Sequence, residues 1–259
     1  MLDSINYHRA MRKVPEITLI FWVVKLLSTA MGEATSDFFV FKINPYIAVI
    51  LGGIVLAVAL LIQFSVKHYI PWVYWFAVVM VAVFGTMAAD ALHIQLGVPY
   101  VISTLLFSVC LVIVFIAWYK TEHTLSIHSI NTKRRELFYW ATVLATFALG
   151  TAAGDMTATT LGLGYFTSAL MFSGLIAIPT IGYWLFKLNE VAAFWIAYIL
   201  TRPIGASFAD WMSKSKLVGG LGWGNGHVGI ELSLIIIVFV GYMTFSRREA
   251  RRERIPLHQ

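Results

Sequence analysis

Cysteine is all but absent from this chain. Cys110 is the only one in 259 residues, which excludes an intramolecular disulfide and a thiolate metal site; in its apolar stretch it reads as packing. Charge is scarce as well: charged residues make up 12%, about half the share of soluble domains. Aspartate is scarcer still, with five in the chain. The signatures of common catalytic sites are missing too. There is no His-Glu-x-x-His, no Gly-x-Ser-x-Gly, no paired Ser/Lys logic and no ATPase motif. The Gly-rich run Gly222-Trp-Gly-Asn-Gly-His227 lacks the Lys-Ser/Thr of a phosphate loop. These absences count against an enzyme and against ATP-driven transport, and no cofactor is called for.

What is present is apolar surface. Hydrophobic residues make up 59% and the mean hydropathy is +0.78, the composition of a polytopic membrane protein. Eight apolar spans are expected, at 17–40, 45–66, 71–95, 98–119, 137–160, 163–186, 191–212 and 228–246. Each is long enough to cross the ~30 Å hydrocarbon core as a helix. Trp72, Trp118 and Trp184 at span ends read as interfacial belts. The polar, basic N-terminus does not read as a cleavable signal, so the first span stays.

Fourteen basic residues fall on the side of both termini and three on the other, with Lys25 and Arg202 inside spans. The positive-inside rule then places both termini in the cytoplasm. The net charge of +6 is a topology signal and not a nucleic-acid footprint. The segment 247–259 reads as a basic cytoplasmic tail, suited to anionic lipid.

A motif recurs four times: an aromatic residue and Trp, nine residues, Gly, four residues, Asp. The copies are Phe21-Trp22 with Gly32 and Asp37, Tyr74-Trp75 with Gly85 and Asp90, Tyr139-Trp140 with Gly150 and Asp155, and Phe194-Trp195 with Gly205 and Asp210. Four of the five aspartates lie here. The fold expected is therefore all-α: eight transmembrane helices built as four tandem two-helix repeats, about 16–66, 71–119, 137–186 and 191–246. The polar loop 120–136 marks off two halves.

The pattern resembles a bacterial family of integral membrane proteins made of four repeats, each with two transmembrane helices and a characteristic Trp. Trp22, Trp75, Trp140 and Trp195 carry the resemblance, over about 16–246. It implies an architecture and an inner-membrane location, but no settled activity.

Function must come from the residues. Trp22, Trp75, Trp140 and Trp195 read as anchors at the inner interface, a gate or cation–π partner being the alternative. Gly32, Gly85, Gly150 and Gly205 each precede a small residue by four, the close-packing pattern of membrane helices. The alternative is a local unwinding, best placed at Gly150-Thr-Ala-Ala-Gly154. The aspartates lie ~22 Å along the helix from the Trp, in the outer third of the membrane. Helix geometry turns Lys25, Arg202 and Glu33 toward the same interior face.

Acids so placed are costly and usually functional, although a helix-end or structural role is the plain alternative. Four aspartates with Glu33 and Glu231, against Lys25 and Arg202, leave four uncompensated negative charges for cations or protons to make up. Carboxylates with Thr86 and Thr151 suit a hard cation such as Mg²⁺, Ca²⁺, Mn²⁺, Na⁺ or H⁺, with His93 and His227 as auxiliaries. Asp90 and Asp155 sit in near-identical Gly-Thr repeats and are the first candidates for metal; Asp37 and Asp210 share helices with a base and read as partly neutralised. The expectation is a gradient-driven cation transporter. A channel with an Asp ring and a membrane scaffold or sensor are the alternatives. The partners are the bilayer and a small cation or proton; a homo-oligomer stays open.

Overall fold

The computed structural model describes residues 12–252, with backbone alone for residue 94 and for 247–252, and no strand occurs among them. The helices are α1 (Leu19–Lys42), α2 (Pro45–Ser65), α3 (Pro71–Asp90), α4 (Tyr100–Glu122), α5 (Lys133–Asp155), α6 (Tyr165–Leu175), α7 (Ala177–Phe186), α8 (Glu190–Ser213) and α9 (Asn225–Arg252). The side chains of Arg247, Arg248, Arg251 and Arg252 and all of 253–259, the expected basic tail, lie outside the description.

Local chemistry sets the ends. Thr18, Asn44, Thr132 and Asn189 cap α1, α2, α5 and α8, each side-chain oxygen accepting from a first-turn N–H. Pro45 and Pro71 open α2 and α3, where a missing N–H costs nothing. The sixth expected span is broken at Ile176 between α6 and α7. Pro179 has no N–H for the Leu175 carbonyl, which accounts for the break.

Taken together, α6 and α7 fill the place of one span, so the described residues hold eight long helical segments. Seven crossings are long and apolar enough to span a membrane. The exception is α1, whose Lys25, Glu33 and Asp37 lower its apolar character. All three are buried inside the protein rather than turned outward.

The four motif helices form a closed ring in the order α1, α3, α5, α8, with α8 back against α1. The second helix of each repeat packs outside that ring, and chiefly on the motif helix of the next repeat. Thus α2 covers α3, α4 covers α5, α6 with α7 covers α8, and α9 covers α1. Burial separates the two sets. In α3, α5 and α8 50–61% of the apolar window is buried, against 17–22% in the outer crossings. Because α3–α5 and α8–α1 pack alike, the loop 120–136 does not divide the molecule into halves as expected.

The motif glycines are where the ring helices touch. A Cβ on Gly32 would strike Ala82; on Gly85, Phe147; on Gly150, Arg202; on Gly205, Thr29. In every case the residue struck lies seven places after the Trp of the next repeat. Glycine is thus present for close approach, as the small-residue pattern predicts. Neither Gly150 nor Gly154 unwinds its helix. The irregularity comes one turn later, as π turns at Ala91–Gln95 and Met156–Thr160, right after Asp90 and Asp155. Each ends in a glycine with positive φ, Gly97 at 64° and Gly162 at 68°.

Candidate functional site

From the aromatic residue before the Trp, every fourth residue of each ring helix turns inward. The first tier is Phe21, Tyr74, Tyr139 and Phe194. Each ring contacts the Trp of the following repeat: Phe21 with Trp75 at 5.8 Å, Tyr74 with Trp140 at 5.6 Å, Tyr139 with Trp195 at 6.2 Å and Phe194 with Trp22 at 5.7 Å between centroids. The Tyr74 and Tyr139 hydroxyls are 2.5 Å apart. This corrects the interfacial reading of the tryptophans. Trp75, Trp140 and Trp195 are buried, Trp22 is partly so, and together they close this end of the ring. Trp118, expected in the belt, is also fully buried, whereas Trp72 and Trp184 are exposed.

Four residues on come Lys25, Val78, Val143 and Tyr198; then Thr29, Ala82, Phe147 and Arg202; then Glu33, Thr86, Thr151 and Ala206; then the four aspartates. Arg202 governs the middle. Its Nη2 donates to Glu33 Oε2 at 2.5 Å, to Thr151 Oγ1 at 2.6 Å and to Thr86 Oγ1, while Nη1 donates to the Thr29 carbonyl at 3.2 Å. A single guanidinium thus links all four ring helices. It also occupies Thr86 and Thr151, which were expected to face a cation. Arg202 pairs with Glu33 on another helix and not with Asp210 on its own. Among the described residues Lys25 pairs with no acid: its Nζ lies 3.9 Å from the Phe147 ring centre and 4.2 Å from that of Tyr198.

The acids gather at the far end. One carboxylate oxygen each from Glu33, Asp155 and Asp210 lies within 4.8 Å of the other two. Arg202 and Thr86 both approach Glu33 through Oε2, which leaves Oε1 for a ligand. Asp37 is held by Lys214, and by Asn225 Nδ2 at 3.3 Å. Lys214 Nζ is also 3.4 Å from Asp210 Oδ1. Burial works against the Lys214 ammonium, but the Asp210 and Asp37 carboxylates outweigh it and hold its pKa above the ordinary lysine value. Asp90 stands apart, lining a cleft of about 10 Å³ with Val40, Pro45, Met87 and Gln95. Among the described residues Ser36 Oγ, Ser207 Oγ, Ser213 Oγ and Asn225 Oδ1 are buried oxygens with no hydrogen-bond partner, and Asp210 Oδ1 has the Lys214 ammonium alone.

One family model, a Repeat of Unknown Function (DUF347), matches the chain four times, over residues 20–69, 73–124, 138–188 and 193–249. The chain belongs to this family. Each match begins two residues before a motif Trp, so the DUF347 unit is the two-helix repeat described above. No curated protein and no solved structure matches the chain.

Three further calls are corrected by position. Glu231 of the fourth DUF347 repeat is exposed on α9, and His227 is exposed at its start, so neither joins the acids. His93 in the second repeat is stacked on Tyr100 at 3.4 Å, with Nδ1 2.7 Å from the Val98 carbonyl. It braces the π turn.

Two groups escaped the sequence reading. Lys214 lies just beyond α8, where it read as one of the few basic residues of an outer loop. The other group is at the Trp end. Glu136 is fully buried and accepts from Lys13 Nζ at 2.5 Å and Gln63 Nε2 at 2.8 Å. Lys13 also donates to the Phe64 carbonyl at 3.3 Å. Its backbone N–H donates to the Ile130 carbonyl, and the Arg12 carbonyl receives the Tyr69 N–H, so the segment before α1 is tied to the α2–α3 connection and to the loop before α5. Glu136 follows Lys133, Arg134 and Arg135, and that basic run made it look solvated. Glu136→Leu is expected to cost about 3–5 kcal/mol by stranding a buried ammonium. Lys13→Met with Glu136→Leu should recover most of that loss, as melting temperatures in detergent will show.

Proposed function

We propose that this DUF347 protein is a secondary transporter that takes a hard divalent cation as its substrate, bound by Glu33, Asp155 and Asp210. The reading rests on the convergence of three carboxylates from three ring helices within 4.8 Å. Oxygen ligands of this kind suit Mg²⁺, Ca²⁺ or Mn²⁺. The unpartnered buried oxygens of Ser36, Ser207 and Ser213, on the helices that carry Glu33 and Asp210, are supporting evidence, since a buried oxygen without a donor is costly and a cation satisfies it. Charge points the same way. Five acids, Glu33 and the four aspartates, stand against Arg202 and Lys214, which leaves three negative charges for cations or protons to make up.

With both termini cytoplasmic by the positive-inside rule, the acids open toward the outer face of a plasma membrane. Arg202 seals the ring axis one tier below Glu33 and two below the aspartates, and the aromatic tier seals it again. An axis filled in this way favours alternating access over an open pore with an Asp ring.

The test is binding followed by flux. Mn²⁺ at a hundred times its Kd should stabilise the purified protein by about 2.7 kcal/mol. Asp155→Asn and Asp210→Asn should each weaken binding about tenfold or more. Mn²⁺ uptake into proteoliposomes should fall with them. Uptake that persists in the double variant would sink the reading.

A further inference from the structure

Among the described residues, every buried or partly buried base at the ring and its two ends has an acid partner except one. Arg202 has Glu33, Lys13 has Glu136, and Lys214 has Asp37 and Asp210. Lys25 has none among the described residues, although it is 1% exposed and its Nζ makes no hydrogen bond with them. Two aromatic faces cradle it, Phe147 at 3.9 Å and Tyr198 at 4.2 Å. Such faces attract an ammonium, but by less than its lost hydration costs. The titratable groups that face Lys25 are Tyr198 and Arg202, both from α8, and the Arg202 charge opposes its own. From α5 it meets Phe147, and neither α3 nor α9 pairs an ionisable group with it.

Glu33 is the first acid beyond Lys25 on α1, and it and the aspartates grouped with it are the negative charges that can hold a proton there. Eight residues along α1 separate Lys25 from Glu33, about 12 Å of helix. A divalent ion at the cluster removes two-thirds of the three uncompensated charges. At that distance and an effective dielectric of about 20, the ion and the ammonium oppose each other by about a hundredfold in equilibrium constant. The opposition is reciprocal: the ion expels the proton, and the proton weakens the ion.

We propose that Lys25 is the proton-exchanging group of this protein, so that binding a divalent cation at Glu33, Asp155 and Asp210 releases the Lys25 proton and the transporter works as a cation–proton antiporter. This rests on the cation reading of the acid cluster. One N–H bond of the ammonium breaks, the amine keeps the electron pair, and the proton passes to water. Lys25 lies on the Trp side of Arg202, next to the tier holding the paired Tyr74 and Tyr139 hydroxyls. Proton and cation are thereby held on opposite sides of one guanidinium.

The experiment is proton counting on the full-length protein in detergent, weakly buffered with a pH dye, as Mn²⁺ is added. Wild type should release one more proton per bound Mn²⁺ than Lys25→Met. That proton alone steepens the pH dependence of Mn²⁺ affinity by up to about tenfold per pH unit, and Lys25→Met should lose that part. Lys25→Met should also melt higher, because a well-packed apolar chain replaces an unpaired buried amine. Lys25→Arg, which keeps its charge, is the second probe: it should bind Mn²⁺ about a hundredfold more weakly and release no extra proton. An equal proton count in wild type and either folded variant overturns the proposal while leaving the cation site standing. Absence of Mn²⁺, Mg²⁺ and Ca²⁺ binding in wild type overturns both.

Discussion

Arg202→Leu is expected to lose about 3–5 kcal/mol of stability, the largest loss expected of any single side-chain truncation on the ring axis. The guanidinium is fully buried and serves four acceptors on three other helices: Glu33, Thr86, Thr151 and the Thr29 carbonyl. Leucine fills part of the volume but leaves the Glu33 carboxylate buried without its cation. Arg202→Lys should recover only part of the loss, because one ammonium cannot span acceptors that a planar fork reaches together. Glu33→Leu combined with Arg202→Leu should come back toward wild-type stability, since removing a whole buried pair is often neutral. Melting temperatures of the four proteins in one detergent check the series. A double variant as unstable as Arg202→Leu would show that the hydroxyl contacts, and not the ion pair, hold the ring.

Gly205→Leu is expected to break the seam between α1 and α8. A Cβ at Gly205 would fall on the Thr29 hydroxyl, 2.7 Å from Thr29 Cβ and 2.8 Å from the Ala30 nitrogen. No rotamer change moves a backbone nitrogen, so α1 itself must retreat. The bond from Thr29 Oγ1 to the Thr201 carbonyl, 3.2 Å long, is lost with it. Gly205→Ala alone should cost about 1–3 kcal/mol, and leucine more. Gly174→Ala is the control. It sits in α6 with open space around its Cβ position, and alanine there should be neutral or slightly stabilising. Retained monodispersity on size exclusion together with an unchanged melting temperature in Gly205→Leu would contradict the close-approach account.

The repeat, the crossings and the acids were legible because each rests on spacing along one helix. Gly32, Gly85, Gly150 and Gly205 read correctly as packing for the same reason. Pairing was not legible, because it depends on neighbours. Arg202 and Glu33 are 169 residues apart, and Lys214 and Asp37 are 177 apart. Lys25 looked like a partner for Asp37, yet twelve residues of helix, about 18 Å, lie between them. The tryptophans misled because a ring of core aromatics at one end of a bundle occupies the same sequence positions as an interfacial belt. The π turns after Asp90 and Asp155 left one trace, the Leu-Gly pairs at 96–97 and 161–162, whose glycines take the positive φ that ends each turn.

The cyclic packing of outer helix on next ring helix has a consequence for the charges at its centre. Four separate copies of a two-helix chain would build the same ring, but symmetry would then repeat every axial residue four times. Four arginines at the place of Arg202, or four lysines at the place of Lys25, would repel one another beyond what their neighbours could offset. Joining the copies end to end removes that constraint. Each tier can then hold one base among three other residues, as Arg202 stands with Thr29, Ala82 and Phe147. Concatenation thus turns a fourfold scaffold into a chamber with distinguishable walls, in which a lone cation and its counter-charge need not compete with their own images.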